Sequence, residues 1–263
     1  MRLISSLIII TGIFFSNLNG QIVPSQYGFF HTPPPDGLSP ETASSSAYQI
    51  KQDYPNFPDG IYWIENINLN GGAPFEIYAD MTTDGGGWTL IMKNSSNQGW
   101  TITNALEKNS TTPPGINEVA VKDSINYSII GWADHIKKSE SGFQYMIDAN
   151  SRGSYGGIWT ANGNYSFVNT DSSQTNITIN QKFGNWNYVE DNGIGQRMPW
   201  YQIQQNCSQS KGIITTDDGD CNNWWGTLLT NRPQFDPTPW IRFNGIDSNS
   251  YMTEPGIIWY WVR

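Results

Sequence analysis

Two cysteines and two histidines are all that 263 residues provide of the soft metal ligands. That supply cannot furnish a zinc set of four Cys or His ligands. Charge is also scarce. Only 14% of the residues are Asp, Glu, Lys or Arg, and the 14 basic residues are outnumbered by 23 acidic ones, giving a net charge of −9. With a pI near 4.6 the chain has no general attraction for phosphates, so nucleic acid is excluded as a partner class. Phosphate chemistry through a Gly-rich loop ending in Lys finds no matching segment. The chain has one long apolar run, at its start, and no repeat of fixed period.

Aromatics, in contrast, are plentiful at 14%, with 12 Trp, which removes intrinsic disorder from consideration. The 26 Gly and 15 Pro point to a loop-rich, β-leaning fold rather than a helical bundle. Arg2 precedes the apolar stretch Leu3–Phe15, followed by polar and small residues up to Gly20. A positive start, a short apolar core and a small residue before a polar one form a secretory signal, too short to span a bilayer comfortably. Residues 1–20 are expected to be that signal, and the mature protein to be secreted and extracellular, not membrane-spanning. In an oxidising compartment Cys207 and Cys221 are expected to pair, closing a loop worth roughly 3 kcal/mol by chain entropy. The alternative is a thiol nucleophile served by His31 or His135. Six Asn-x-Ser/Thr sequons, at Asn94, Asn109, Asn126, Asn164, Asn176 and Asn206, are close to what an Asn-rich composition produces by itself.

Residues 21–43 include a Pro- and Ser-rich stretch without apolar period and read as an extended tether. A globular domain is expected over 44–263. It opens with a short helix capped by Ser46 and stopped by Pro55. Branched and aromatic content predicts a strand at Gly60–Ile64, and alternation predicts a half-buried strand at Phe75–Asp80. Thr82–Gly87 is a turn and Trp88–Met92 the return strand of a hairpin. Three glycines before Trp88 permit positive φ and close backbone approach, letting the indole turn into the core. Val119–Lys138 holds the best helical candidates; Phe143–Ile147, 176–179 and 256–263 read as strands, with Trp259 and Trp261 both on a core face.

The stretch Pro58-Asp-Gly-Ile-Tyr-Trp-Ile64, followed by Pro74-Phe-Glu-Ile-Tyr-Ala-Asp-Met-Thr-Thr-Asp-Gly-Gly-Gly-Trp-Thr-Leu90, resembles the opening of the fibrinogen C-terminal domain, most closely its secreted bacterial and invertebrate forms and more distantly the intelectins. Ala79 stands where that family has Cys, so the family's first disulfide is absent. Asp217-Asp-Gly-Asp-Cys-Asn-Asn-Trp-Trp225 is similar, with compressed spacing, to the family's calcium run, cysteine and Trp pair beside a ligand pocket. The resemblance implies an α+β domain, mostly twisted antiparallel β with short helices and long loops. It also implies calcium-assisted recognition of carbohydrate or acetylated ligands. Asp217, Asp218 and Asp220 would hold the ion, and Asn222, Asn223, Trp224 and Trp225 would line the pocket.

The residue chemistry is compatible with that implication. Three carboxylates around Gly219 suit a hard cation taking six to eight oxygens, although Asp-Gly is equally a common solvated turn. Aromatic faces beside amides suit sugar rings, yet either Trp is as readily core. Two rival classes remain open. A protein-binding adhesion or self-assembly ectodomain would ignore calcium and free sugars. A glycoside-active enzyme would need two carboxylates across one cleft, and nothing singles out a pair among Glu190, Asp191, Asp236, Asp247 and Glu254. No Gly-x-Ser-x-Gly elbow accompanies His135.

Overall fold

A computed structural model describes residues 32–94, 104–121, 124–170, 173–184, 186, 194–201, 210–215, 226–230, 240–242 and 257–263. The chain divides into two units, Met1–Pro34 and Pro35–Arg263, and the second carries every described strand and helix. Its strands in chain order are β1 (Gly60–Ile64), β2 (Phe75–Asp80), β3 (Trp88–Asn94), β4 (Tyr127–Ser128), β5 (Phe143–Ala149), β6 (Tyr155–Ala161), β7 (Ile177–Phe183), β8 (Ser210–Thr215), β9 (Gly226–Thr230), β10 (Trp240–Arg242) and β11 (Ile258–Val262). Among the described residues two short α-helices accompany them, α1 (Ala47–Asp53) and α2 (Ala133–Ile136). The main sheet runs β1-β2-β3-β11-β5-β6-β7, with β4 beside β3, and β10-β9-β8 form a second sheet. Every strand pair is antiparallel. The expected α+β class, mostly antiparallel β with short helices, is the architecture observed.

Helix α1 begins where its cap chemistry places it: the Ser46 hydroxyl accepts from the Gln49 amide at 3.1 Å. The Glu65 amide donates to the Ser44 carbonyl at 2.8 Å, which knits the segment before α1 onto the end of β1. Residues Pro35–Ala43, which the sequence places in the tether, are hydrogen-bonded to the domain, the Gly37 carbonyl accepting from Trp63 at 2.7 Å, while the Gly37 amide donates to the Thr42 carbonyl within the segment. Gly37 is buried at φ +71°, and a Cβ there would sit 2.6 Å from Ile50 Cδ1, so glycine lets the chain close on α1.

Strand β2 departs from the half-buried alternation expected of it, because five of its six residues are buried. All seven residues of β3 and all five of β11 are buried as well. These central strands are covered on both faces, the situation in which a strand reads as a continuous apolar run instead of an alternating one. Strand β7 lies at the sheet's edge and shows the opposite pattern, with exposed Thr178, Asn180, Gln181 and Lys182 that discourage further strand pairing. Trp88, Trp259 and Trp261 are all core, as expected.

The helical expectation for Val119–Lys138 is met towards its C-terminal end and not over its described N-terminal part. Among its described residues, only Ala133–Ile136 is α-helical, preceded by a 3₁₀ turn at Ile130–Trp132, and Tyr127–Ser128 pairs with β3. Tertiary donors remove the carbonyls a helix would need. The buried Lys93 ammonium donates to the carbonyls of Val121 (3.0 Å) and Ile125 (3.1 Å), and the Trp259 indole donates to Val119 O at 2.7 Å. Charge-assisted bonds to a buried ammonium outweigh the few tenths of a kcal/mol per residue that helix propensity offers.

The second sheet is tied to the first where Tyr260 Oη on β11 donates to the Ile214 carbonyl on β8 at 3.1 Å. Arg263, following β11, clasps the turn between β2 and β3. Its guanidinium lies 4.0 Å from the Trp88 ring centroid and donates to the carbonyls of Asp84 and Gly86, to the Asp84 carboxylate at 2.9 Å and to Gln144 Oε1. Arg263→Ala is expected to lower the unfolding free energy by about 2 kcal/mol, read as a lower urea midpoint with unchanged slope.

Candidate functional site

Two places in the fold hold candidate functional residues. The first is the connection between β8 and β9. These strands pair from Ser210↔Thr230 to Thr215↔Gly226, with a register shift between Gly212 and Ile214. Thr215 and Gly226 therefore close the base of the connection 216–225. Within it fall Asp217, Asp218, Asp220, Asn222, Asn223, Trp224 and Trp225, all of which lie outside the described residues, as do Cys207 and Cys221. Trp240 lies on β10, paired with Leu228 of β9 in the same small sheet. The enzyme candidates Glu190, Asp191, Asp236, Asp247 and Glu254 also fall outside the described residues, and His135 sits on α2.

The second place was not singled out by the sequence. Asp80, the last residue of β2, and Asp148, on β5, are each about 1% exposed, on strands separated by β3 and β11. Arg152, in the turn between β5 and β6, spans them: Nη2 donates to Asp80 Oδ2 at 2.5 Å and Nε to Asp148 Oδ2 at 2.8 Å. Its guanidinium lies 4.5 Å from the Trp261 ring centroid, on the residue that β11 contributes between those strands. Backbone amides complete both carboxylates. Asp80 Oδ1 accepts from Thr82 (3.0 Å) and Thr83 (2.8 Å), and Asp148 accepts from Gly153 at 2.9 Å.

Burial alone would raise the Asp80 carboxyl, but hydrogen bonds from Thr83 and the charge of Arg152 prevail and hold it below the ordinary carboxylate value. At Asp148 burial prevails over Arg152 and the Gly153 amide, and its carboxyl is raised.

A cavity of about 370 Å³ opens beside this triad, lined by Asp59, Asp80, Thr83, Asp148, Arg152, Gly153 and Phe183. Asp59 stands just before β1; its oxygens accept from the Met81 amide (2.7 Å) and the Thr82 hydroxyl (3.2 Å). The acidic residues come from distant points of the chain and only the sheet order assembles them. The one sequence signal is the opening motif, which holds Asp59 within Pro58–Gly60 and Asp80 at the head of Asp80–Gly87. Among the described residues there is no group of three or more His, Cys, Asp or Glu side chains arranged to hold a metal ion. Nor is any described helix long and apolar enough to cross a membrane.

No family model matches the chain. Among solved structures it is similar to the fibrinogen-like globe domain of human ANGPTL6, with 12% identity, a TM-score of 0.41, and coverage of 83% of this chain and 94% of that one.

Proposed function

We propose that this chain is a secreted, non-catalytic recognition domain of the fibrinogen-like type, which binds carbohydrate or acetylated ligands with the help of calcium. The observation that carries the reading is the pairing of Thr215 with Gly226. It closes, with a hydrogen-bonded base, the ends of the connection that carries the acidic run and the Asn-Asn-Trp-Trp run, which are contiguous in the sequence. The donor set fits the ion: three carboxylates with neighbouring threonine and carbonyl oxygens are hard ligands, which calcium prefers. Ligand contact then falls to Asn222, Asn223, Trp224 and Trp225, whose amides and indole faces match the hydroxyl rim and apolar face of a sugar ring.

A Cys207–Cys221 disulfide is part of the proposal and sets a condition on the hairpin. Cys207 precedes the open end of β8 while Cys221 follows its other end. The strand is about 17 Å long at ~3.3 Å per residue. The flanking residues 208–209 and 216–220 extend far enough to bring the two cysteines within the ~6 Å that a disulfide needs, provided that the connection folds back along the hairpin. Such folding would also stiffen the acidic run.

Asp218→Ala and Asp220→Ala are each expected to lower calcium affinity by tenfold or more, about 1.4 kcal/mol, and to remove calcium-dependent ligand binding. Calorimetry with calcium and an array of glycans and acetylated ligands, with and without chelator, give the two readouts. Wild-type calcium affinity and binding in both variants would refute the assignment. Protein capture indifferent to chelator and to free sugars would favour an adhesion domain instead.

A further inference from the structure

We propose that the cavity beside the Asp80–Arg152–Asp148 triad is a second binding site, one that takes a neutral polyhydroxylated ligand such as a single sugar ring and needs no calcium. The site is built from fixed groups. Arg152 has its Nε and Nη2 committed to two carboxylates that are about 1% exposed, and its flat face rests near Trp261. The guanidinium therefore cannot rotate away, while Nη1 donates to no described group and Arg152 lines the cavity with its side chain 28% exposed. An immobilised fork with unused donors loses little freedom when it binds.

Acceptors lie on the same wall. Each Asp59 oxygen accepts one hydrogen bond, leaving lone pairs available on a carboxylate that can take about four. Thr83 and the ring of Phe183 complete the lining, a hydroxyl and an apolar surface. A volume of about 370 Å³ lies at the small end of the ~300–1,000 Å³ range of small-molecule sites.

The lining selects the ligand's charge. Three carboxylates against one guanidinium repel an anion. A cation would satisfy Asp59 but leave the Nη1 donors of Arg152 facing a like charge. A pair of neighbouring hydroxyls meets both needs, because one hydroxyl accepts from Nη1 while the other donates to Asp59. The recognition is independent of the β8–β9 connection, so the two sites stand or fall separately.

The test is a titration of the isotope-labelled full chain with glucose, galactose, mannose and N-acetylglucosamine in the presence of chelator, following the arginine side-chain N–H signals by NMR. At least one sugar is expected to shift the Arg152 signals. Arg152→Lys, which keeps the charge and loses the fork, is expected to weaken that binding about tenfold or more. Asp59→Asn, which keeps an acceptor for the Met81 amide, is expected to weaken it similarly and guards against a folding defect in the first variant. Asp220→Ala should leave it unchanged. Silence with all four sugars overturns the proposal, as does a preference for acetate or methylammonium, or wild-type affinity in both pocket variants. Sugar binding seen only with calcium and lost in Asp220→Ala would remove this site while keeping the other.

Discussion

Gly86→Ala is expected to yield no folded protein, whereas Gly85→Ala lowers stability by only about 1–2 kcal/mol. All three glycines before Trp88 have positive φ, at +83°, +76° and +80°, so torsion alone does not separate them. Space does. A Cβ on Gly86 would lie 2.1 Å from the Met81 carbonyl oxygen, 2.3 Å from its carbon and 2.8 Å from Met81 Cα. Those are backbone atoms at the exit of β2, and moving them would break the Ala79↔Thr89 and Asp80↔Trp88 pairing that starts the hairpin. A Cβ on Gly85 would meet nothing nearer than an Arg263 nitrogen at 3.9 Å. Gly87 is intermediate, with Tyr48 Cα at 3.1 Å and Lys51 Cβ at 3.3 Å, where α1 packs over the turn. Soluble yield and the thermal midpoint of the three single variants should rank Gly85, Gly87, Gly86 in order of increasing damage. Equal damage at Gly85 and Gly86 would mean that torsion, and not contact, imposes glycine here.

That ranking shows what a sequence carries and what it does not. The run of three glycines announces tight backbone and a buried indole, and Trp88 is indeed fully buried, its Nε1 donating to Thr83 O at 2.8 Å. Local chemistry was enough for α1, β1, β2 and β3, because a Ser cap, a turn and a branched run act within a few residues. It was not enough for Val119–Lys138, where the deciding donors are Lys93 and Trp259, remote in the chain. Strand β6 went unread because Gly156 and Gly157 interrupt its pattern. A Cβ on either would come within 2.0 Å of Ile147 O or 2.3 Å of Gln181 O, so the missing side chains are what let β5, β6 and β7 approach. The β8–β9 connection was legible as a motif, by order of residue types. The Arg152 site was not, since Asp59, Asp80 and Asp148 become neighbours only through the order of the sheet.

Replacing Arg152 by Met should cost about 3–5 kcal/mol near neutral pH, and the loss should shrink in acid. The side chain's apolar stem is roughly conserved, so the loss reports charge: Asp80 and Asp148 would be left buried without a cation. The pH dependence differs between the two proteins. In the wild type the Asp80 carboxyl is held below its ordinary value, so it contributes stability above the unfolded pKa of about 3.9, and that contribution is lost as pH falls through the lower folded value. Asp148 is raised, so its protonation in the folded state comes first and favours folding as pH drops through its folded value. The two effects oppose one another in the wild type. Without Arg152, both carboxyls lose their nearest cation and move upward from their wild-type values, Asp148 further above the ordinary carboxylate value. Acidification from neutrality towards about pH 4.5 then protonates Asp148 in the folded state before the unfolded chain binds that proton, and the variant gains stability relative to the wild type. Urea unfolding of both proteins at the two pH values measures this directly. A deficit of the same size at both would assign the damage to packing against Trp261. Adding Asp80→Asn and Asp148→Asn to Arg152→Met removes the uncompensated charges altogether, and if charge is the cause it should recover much of the lost stability at neutral pH.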